Sequence, residues 1–371
     1  MDLIINQKEF YQGIQIVQKA VSSKNTLPIL KGIYLEANKE KGLKLIANNL
    51  EIGIEYWTNA NVKEEGVIVI PANELTNIIR ELPSGEVSLT VNKDNYMVNI
   101  ECLNSKFVLK AYDAEEFPQL PEVDNALKVN VKANKFHRMI NEVKFSTSND
   151  QTQPALTGAL FILDDEDINL VATNTYRLAF SNMKNDQEIN ENLSVILPGS
   201  TLNELYQLLE TDEDNNIELL LNDSYVRFTF NNIIFISRLI EGKFPNYKQV
   251  LPTEFNSSLK IDRVDFLNAV KRVSLIARLD SNVISLNINQ DKMLIKSNSS
   301  EYGNAEEFIE VELNGPEQNI DIDASYLIDV LKVLDEEIIH MEMIGPLNPL
   351  TIRKDNESNF IYLIMPVRPG A

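Results

Sequence analysis

Hydrophobic and polar positions along this chain alternate between two periods. Short stretches place apolar residues at i, i+3, i+4 and i+7, as amphipathic helices do. The longer stretches between them alternate every second residue or are rich in β-branched residues, as strands are. In the first third the strand-like runs are LPILKGIYLEA, GLKLIANN, EIGIEYWTN, EGVIVIP, EVSLTVN, YMVNIEC and KFVLKAY. Turn residues separate them, which predicts antiparallel sheet.

The helical patterns recur. In KEFYQGIQIV, NKFHRMINEV and VDFLNAVKRV a Phe is followed four positions on by an aliphatic residue: Phe10 and Ile14, Phe136 and Ile140, Phe266 and Val270, at intervals of 126 and 130 residues. A second stripe runs through Leu75, Ile78, Ile79 and Leu82, then Leu202, Leu205, Tyr206 and Leu209, then Leu327, Val330, Leu331 and Leu334, at intervals of 127 and 125. Two different stripes sharing one period mark an internal repeat. Phe117-Pro118 and Phe244-Pro245, 127 residues apart, end β-rich segments in irregular Pro-bearing chain, as linkers do. The predicted fold is α+β, with three homologous domains over 1–125, 126–255 and 256–371. Each has two short helices packed on antiparallel sheets and reads as two copies of a helix followed by a meander. Helices of about three turns cannot bury themselves and must lie on a sheet face.

Composition adds limits. Of 371 residues, 44% are hydrophobic and 24% charged, an ordinary globular balance. No apolar run approaches the roughly 18 residues of a membrane span. The N-terminal segment MDLIINQKEF has no basic region followed by an apolar core, so no export signal is expected. Cys102 is the single cysteine, which excludes an internal disulfide and fits a reducing, cytoplasmic location. His137 and His340 have no Cys or His at metal-ligand spacing, and neither G-x-G nor phosphate-loop spacing occurs among the 13 glycines. No metal and no cofactor is therefore expected. A carboxylate-metal enzyme such as a nuclease could use Asp164-Asp165-Glu166-Asp167, although consecutive acids in a polar stretch read more simply as a solvated turn. A β-rich repeat scaffold indifferent to DNA is another alternative, and it predicts monomers.

The net charge of -21 argues by itself against nucleic acid as a partner. Local charge points the other way. Around the first helix of each repeat, Lys8, Lys19 and Lys24 oppose Glu9; Lys132, Lys135, Arg138 and Lys144 oppose Glu142; Arg263, Lys271, Arg272 and Arg278 oppose Asp262 and Asp265, leaving +2, +3 and +2. The second helices balance at -1, -2 and zero. One such helix would read as a solvated face, but three equivalent ones suggest a shared basic surface that meets phosphate. No aromatic ladder accompanies it, so base stacking is not indicated.

The segments TLPIL (26–30), LVATNTYRLA (170–179), LIEGKFPNYKQVLP (239–252) and YLIMPVR (362–368) resemble, in order and over the whole chain, the bacterial sliding clamp family, the beta subunit of DNA polymerase III holoenzyme. The resemblance implies a non-catalytic processivity factor. In that family a head-to-tail homodimer makes a six-domain ring, with helices lining the hole and sheets forming the wall. The implied partners are double-stranded DNA, encircled without sequence preference, and the replicative DNA polymerase, clamp loader and repair proteins, which dock through short linear peptides. No membrane is implied. Lys24, Lys132, Arg138 and Arg272 would line the hole, and Lys24 stands at a position that touches DNA in the family.

The resemblance also implies a dimer interface and a peptide pocket. Strand residues 106–110 would meet the third domain of a partner chain, where Leu275 and Ile276 close a helix. Phe107 and Leu109 would supply apolar contact, and Lys106 would face Glu301, Glu306 or Glu307. The pocket, carried over residue by residue, comprises Leu156, Thr173, Thr175, Tyr176, Arg177, Leu178, Pro245, Val250, Pro349, Leu363, Ile364, Met365, Pro366, Val367 and Arg368. This chain departs from the family pattern at Asn174-Thr175, where Asp then Gly or Ser is usual, and at Gln153 and Gln249, which often are Arg. Pro154-Ala155 replaces aromatics near DNA, and Pro369-Gly370-Ala371 extends past the usual end.

Overall fold

A computed structural model of the chain describes residues 1–22, 27–185, 187, 192–212, 215–355 and 359–368. Lys24 and Pro369-Gly370-Ala371 lie outside the described residues. Six α-helices occur among those described: α1 (Gln7–Gln18), α2 (Ala72–Glu81), α3 (Ala133–Lys144), α4 (Gly199–Leu208), α5 (Arg263–Ala277) and α6 (Ala324–Val333). Every strand pairing described is antiparallel, so the α+β architecture holds.

Helix starts follow local chemistry. The Asn6 side chain accepts a hydrogen bond from the Lys8 amide at the start of α1, Asp262 from Asp265 at α5, and Asp323 from Ser325 at α6. Each cap satisfies a backbone donor that the first turn would leave unpaired, worth about 1 kcal/mol. The predicted stripes face inward: Phe10 and Ile14, Phe136 and Ile140, and Phe266 and Val270 are all buried completely. Burying one such side chain contributes about 1.5–3 kcal/mol, which offsets the weak autonomy of helices this short.

The chain resolves into two compact units, residues 1–134 with 207–239, and 135–206 with 240–371. In the first, one sheet has five strands in the order Asn61–Glu64, Asp2–Asn6, Glu86–Asn92, Met97–Cys102 and Ser105–Lys110. Its other sheet has eight strands, in which Ile233–Arg238 pairs with Ile52–Thr58 and Phe235 stands opposite Ile54. Helix α1 packs on α2 and on this sheet. In the second unit a nine-stranded sheet joins Arg177–Lys184 to Phe360–Ile364, with Leu178 opposite Leu363. A four-stranded sheet ends on Gly303–Glu310 and carries α5, which also packs on α6. Strands of the middle repeat thus extend sheets begun or ended by the outer repeats, a pairing the repeat pattern alone did not predict.

Candidate functional site

The second unit contains a cavity of about 130 Å³ lined by Thr173, Thr175, Arg177, Leu178, Pro245, Asn246, Tyr247, Val250, Leu363 and Met365. One wall is the turn between strands Asp167–Thr173 and Arg177–Lys184. There the Thr173 hydroxyl donates to the Arg177 carbonyl at 2.6 Å, and Asn174 Oδ1 accepts from the Tyr176 and Arg177 amides at 3.1 and 3.0 Å. These side-chain bonds replace backbone partners that the tight reversal cannot supply. Next to this turn runs the chain after Phe360–Ile364, whose Met365 amide donates to the Tyr176 carbonyl at 2.8 Å and whose Val367 amide donates to the Asp321 carbonyl at 2.7 Å.

Thr175 sits at the apex with φ 75°, a left-handed conformation that a β-branched residue rarely adopts. Replacing it by glycine is expected to raise stability by about 0.5–1 kcal/mol, since the Cβ clash disappears while some backbone entropy is lost. The midpoint of urea unfolding reads this; a lower midpoint would mean that Thr175 side-chain packing outweighs the conformational cost.

Eight of the fifteen residues carried over from the family line this cavity. Leu156 lies behind the wall, in a buried cluster with Leu178, Phe244, Tyr247 and Leu363. Ile364 is fully buried, Pro349, Pro366 and Val367 are half-buried, Arg368 is exposed, and Tyr176 is 62% exposed at the turn. Asn246 and Tyr247 belong to the lining and were missed, although both stand inside the GKFPNYKQVLP segment. Tyr247 is held by stacking on Phe180 at 6.1 Å.

Arg177 is the one charged lining residue, and its side chain is only 10% exposed. Its Nη1 lies 2.6 Å from Asp329 Oδ2, its Nη2 donates to the Phe145 carbonyl, and the guanidinium packs 4.7 Å from the Tyr326 ring centroid and 5.5 Å from that of Phe145. Burial disfavours its charge, but Tyr362 and Asp329 outweigh that and push its pKa up. Burial pushes the Tyr362 hydroxyl up as well. Asp329 and Tyr326 belong to α6 and were not foreseen.

The other predicted residues lie apart from the cavity. Lys132 is exposed at the end of a strand in the first unit. Arg138 is half-exposed on α3 and pairs at 3.5 Å with Glu142, whose buried carboxylate also meets Lys354 at 2.5 Å and Ser181 at 2.5 Å. Arg272 is engaged by both oxygens of Glu307, which holds the Glu307 carboxyl below the usual carboxylate range. On α3, His137 stacks on Tyr206 at 4.3 Å and Lys144 lies 3.7 Å from the same ring; burial, and then Lys144, lower the His137 pKa.

Strand Ser105–Lys110 ends the five-stranded sheet with Lys106, Phe107, Val108 and Lys110 exposed and Leu109 half-buried. Strand Gly303–Glu310 ends the four-stranded sheet, with Phe308 63% exposed, and Leu275 on α5 is exposed to the same extent; Ile276 is half-buried. The acidic run at 164–167 is a strand-connecting turn in which Asp164 Oδ1 accepts from the Glu166 and Asp167 amides and Lys184 pairs with Asp167 at 3.0 Å. Among the described residues no group of three or more His, Cys, Asp or Glu could hold a metal ion, and no helix is long and apolar enough to cross a membrane.

Solved structures place this fold among the DNA sliding clamps. The Bacillus subtilis sliding clamp matches with a TM-score of 0.94 at 29% identity over 99% of both chains, and the Streptococcus pyogenes polymerase beta subunit with 0.94 at 28% over 99% of this chain and 100% of that one. The beta sliding clamp of Staphylococcus epidermidis is 32% identical over 99% of both chains. Sequence profiles of the DNA polymerase III beta subunit match in order: the N-terminal domain over 1–121, the central domain over 130–246 and the C-terminal domain over 248–368. The chain belongs to the DNA polymerase III beta subunit family. It is a DNA sliding clamp, a non-catalytic accessory subunit that tethers the polymerase and other proteins to DNA.

Proposed function

We propose that the cavity beside Thr175 is the docking pocket for short peptides of the polymerase, clamp loader and repair proteins, and that strands Ser105–Lys110 and Gly303–Glu310 close two copies head to tail around duplex DNA in the cytoplasm. The repeat units are 1–125, 126–255 and 256–371. The observation that carries this reading is the pair of open sheet edges. One presents Lys106 and Lys110, the other Glu306, Glu307 and Glu310, with exposed apolar residues on or beside both. An uncovered edge invites pairing, and opposite charge selects head against tail rather than like against like. Phe107, Leu109, Leu275 and Ile276 supply the apolar contact.

The pocket reading rests on chemistry of the same kind. Leu178, Pro245, Val250, Leu363 and Met365 offer an apolar floor to a side-chain anchor, Met being adaptable in shape, while Thr173, Thr175 and Asn246 can meet peptide backbone. Lys24, Lys132, Arg138 and Arg272 are the proposed DNA-facing cations. A modest basic excess spread over several helices attracts phosphate without anchoring any base, which leaves the DNA free to slide.

Once a loader has closed the ring, it should persist on circular DNA and escape quickly from linear ends. Retention is read by gel filtration before and after a single cut. Equal lifetimes on cut and uncut circles would remove topological linkage.

A further inference from the structure

We propose that Asp329 on α6 is a positioning residue for peptide docking: by anchoring the Arg177 guanidinium inside the protein, it keeps that side chain out of the cavity and fixes the wall on which the peptide rests. This builds on the pocket reading above. Asp329 does not line the cavity, so it acts through Arg177.

The geometry makes Arg177 depend on Asp329. The Arg177 backbone stands opposite Ile364 and helps form the cavity wall, while its side chain passes inward between the rings of Phe145 and Tyr326. Asp329 is its one carboxylate partner among the described residues. Nη2 is used by the Phe145 carbonyl, and Nε is buried without a hydrogen-bond partner. A buried guanidinium tolerates one unsatisfied N–H when its charge is neutralised, but losing the counter-ion as well makes the inward conformation costly. A long side chain then relieves the cost by turning toward solvent, and the cavity it lines offers that space. A cation lying across Leu178, Val250 and Met365 would block an apolar anchor. Helix α6 also supports the turn through Tyr326, whose hydroxyl is 3.5 Å from Asn174 Nδ2 and whose carbonyl accepts from the Tyr362 hydroxyl at 2.9 Å.

The test is calorimetric titration of a synthetic peptide copying the clamp-binding segment of the same cell's replicative polymerase into the full-length dimer. Parent, Met365→Ala, Asp329→Asn, Asp329→Glu, Arg177→Met and the Arg177→Met/Asp329→Asn pair are compared, with sedimentation confirming folded dimers. Asp329→Asn is expected to weaken binding roughly tenfold, within the range for residues that touch no ligand, and Asp329→Glu, which keeps the charge, only about threefold. In the Arg177→Met background the Asp329→Asn loss should vanish, an outcome that general loosening of the domain would not produce.

Unchanged affinity in a dimeric Asp329→Asn protein overturns the proposal, as does an equal loss in the Arg177→Met background. Should Asp329→Asn fail to fold, Asp329→Glu decides by the same comparison with and without Arg177. If Met365→Ala binds as the parent does, the pocket itself is misplaced and the proposal falls with it. If Met365→Ala weakens binding and neither Asp329 variant does, only the role of Asp329 is lost.

Discussion

Leu275→Asp is expected to convert the dimer, twice 42.2 kDa or about 84 kDa, into folded monomers of 42.2 kDa. Leu275 is 63% exposed on α5, so a carboxylate there leaves the monomer's own core untouched. The helix keeps its inward face, Phe266, Val270, Val273 and Ala277. At the proposed interface the same carboxylate would be desolvated against Phe107 and Leu109 of the partner chain, beside a strand already rich in Glu. Burying an unpaired charge costs several kcal/mol, and about 3 kcal/mol is already more than a hundredfold in the dimer dissociation constant. Phe107→Asp, on the exposed strand Ser105–Lys110, should behave alike. Analytical sedimentation at micromolar concentration reads both variants, with circular dichroism to verify folding. A Leu275→Asp protein that stays dimeric would put the interface elsewhere.

The two helical stripes were legible in sequence because short helices on a sheet must place large apolar residues every third or fourth position, and a repeat shows the same demand three times. Phe10, Phe136 and Phe266 are all fully buried. Strand Asn61–Glu64 was missed because its residues are mostly exposed and carry no apolar alternation. The cross-repeat ladders, Phe235 with Ile54 and Leu178 with Leu363, were invisible for a different reason: partner choice between equally apolar strands is set by long-range packing, not by local pattern. The cavity was reached through the family resemblance rather than through periodicity. Even so, its charged anchor could not be read, since Asp329 is 152 residues from Arg177 and is one of many acids in the chain. Arg272 shows the limit of counting charge: it is exposed on a basic helix, yet Glu307 engages it in the isolated chain.

Truncation of the chain after Ile364 should abolish peptide binding while the dimer survives. Met365 forms part of the cavity lining, and its amide bond to Tyr176 and the Val367 amide bond to Asp321 fix the course of the segment. Removing it takes away one apolar wall and two tethers. Strands Ser105–Lys110 and Gly303–Glu310, which carry the proposed interface, make none of these bonds; Asp321 belongs to strand Gln318–Asp323, at the other edge of the four-stranded sheet from Gly303–Glu310. Met365→Ala isolates the side chain: a single anchor in an apolar cavity is worth about 1–2 kcal/mol, a roughly 5- to 30-fold weaker complex. Removing only Pro369 to Ala371 should change affinity little, because only a proline ring and one methyl group are lost. Calorimetry with the unlabelled polymerase peptide ranks the three variants against the parent. An intact dimer that binds the peptide equally well after the long truncation would place the pocket away from Met365, and the lining between Thr173 and Val250 would then need another occupant.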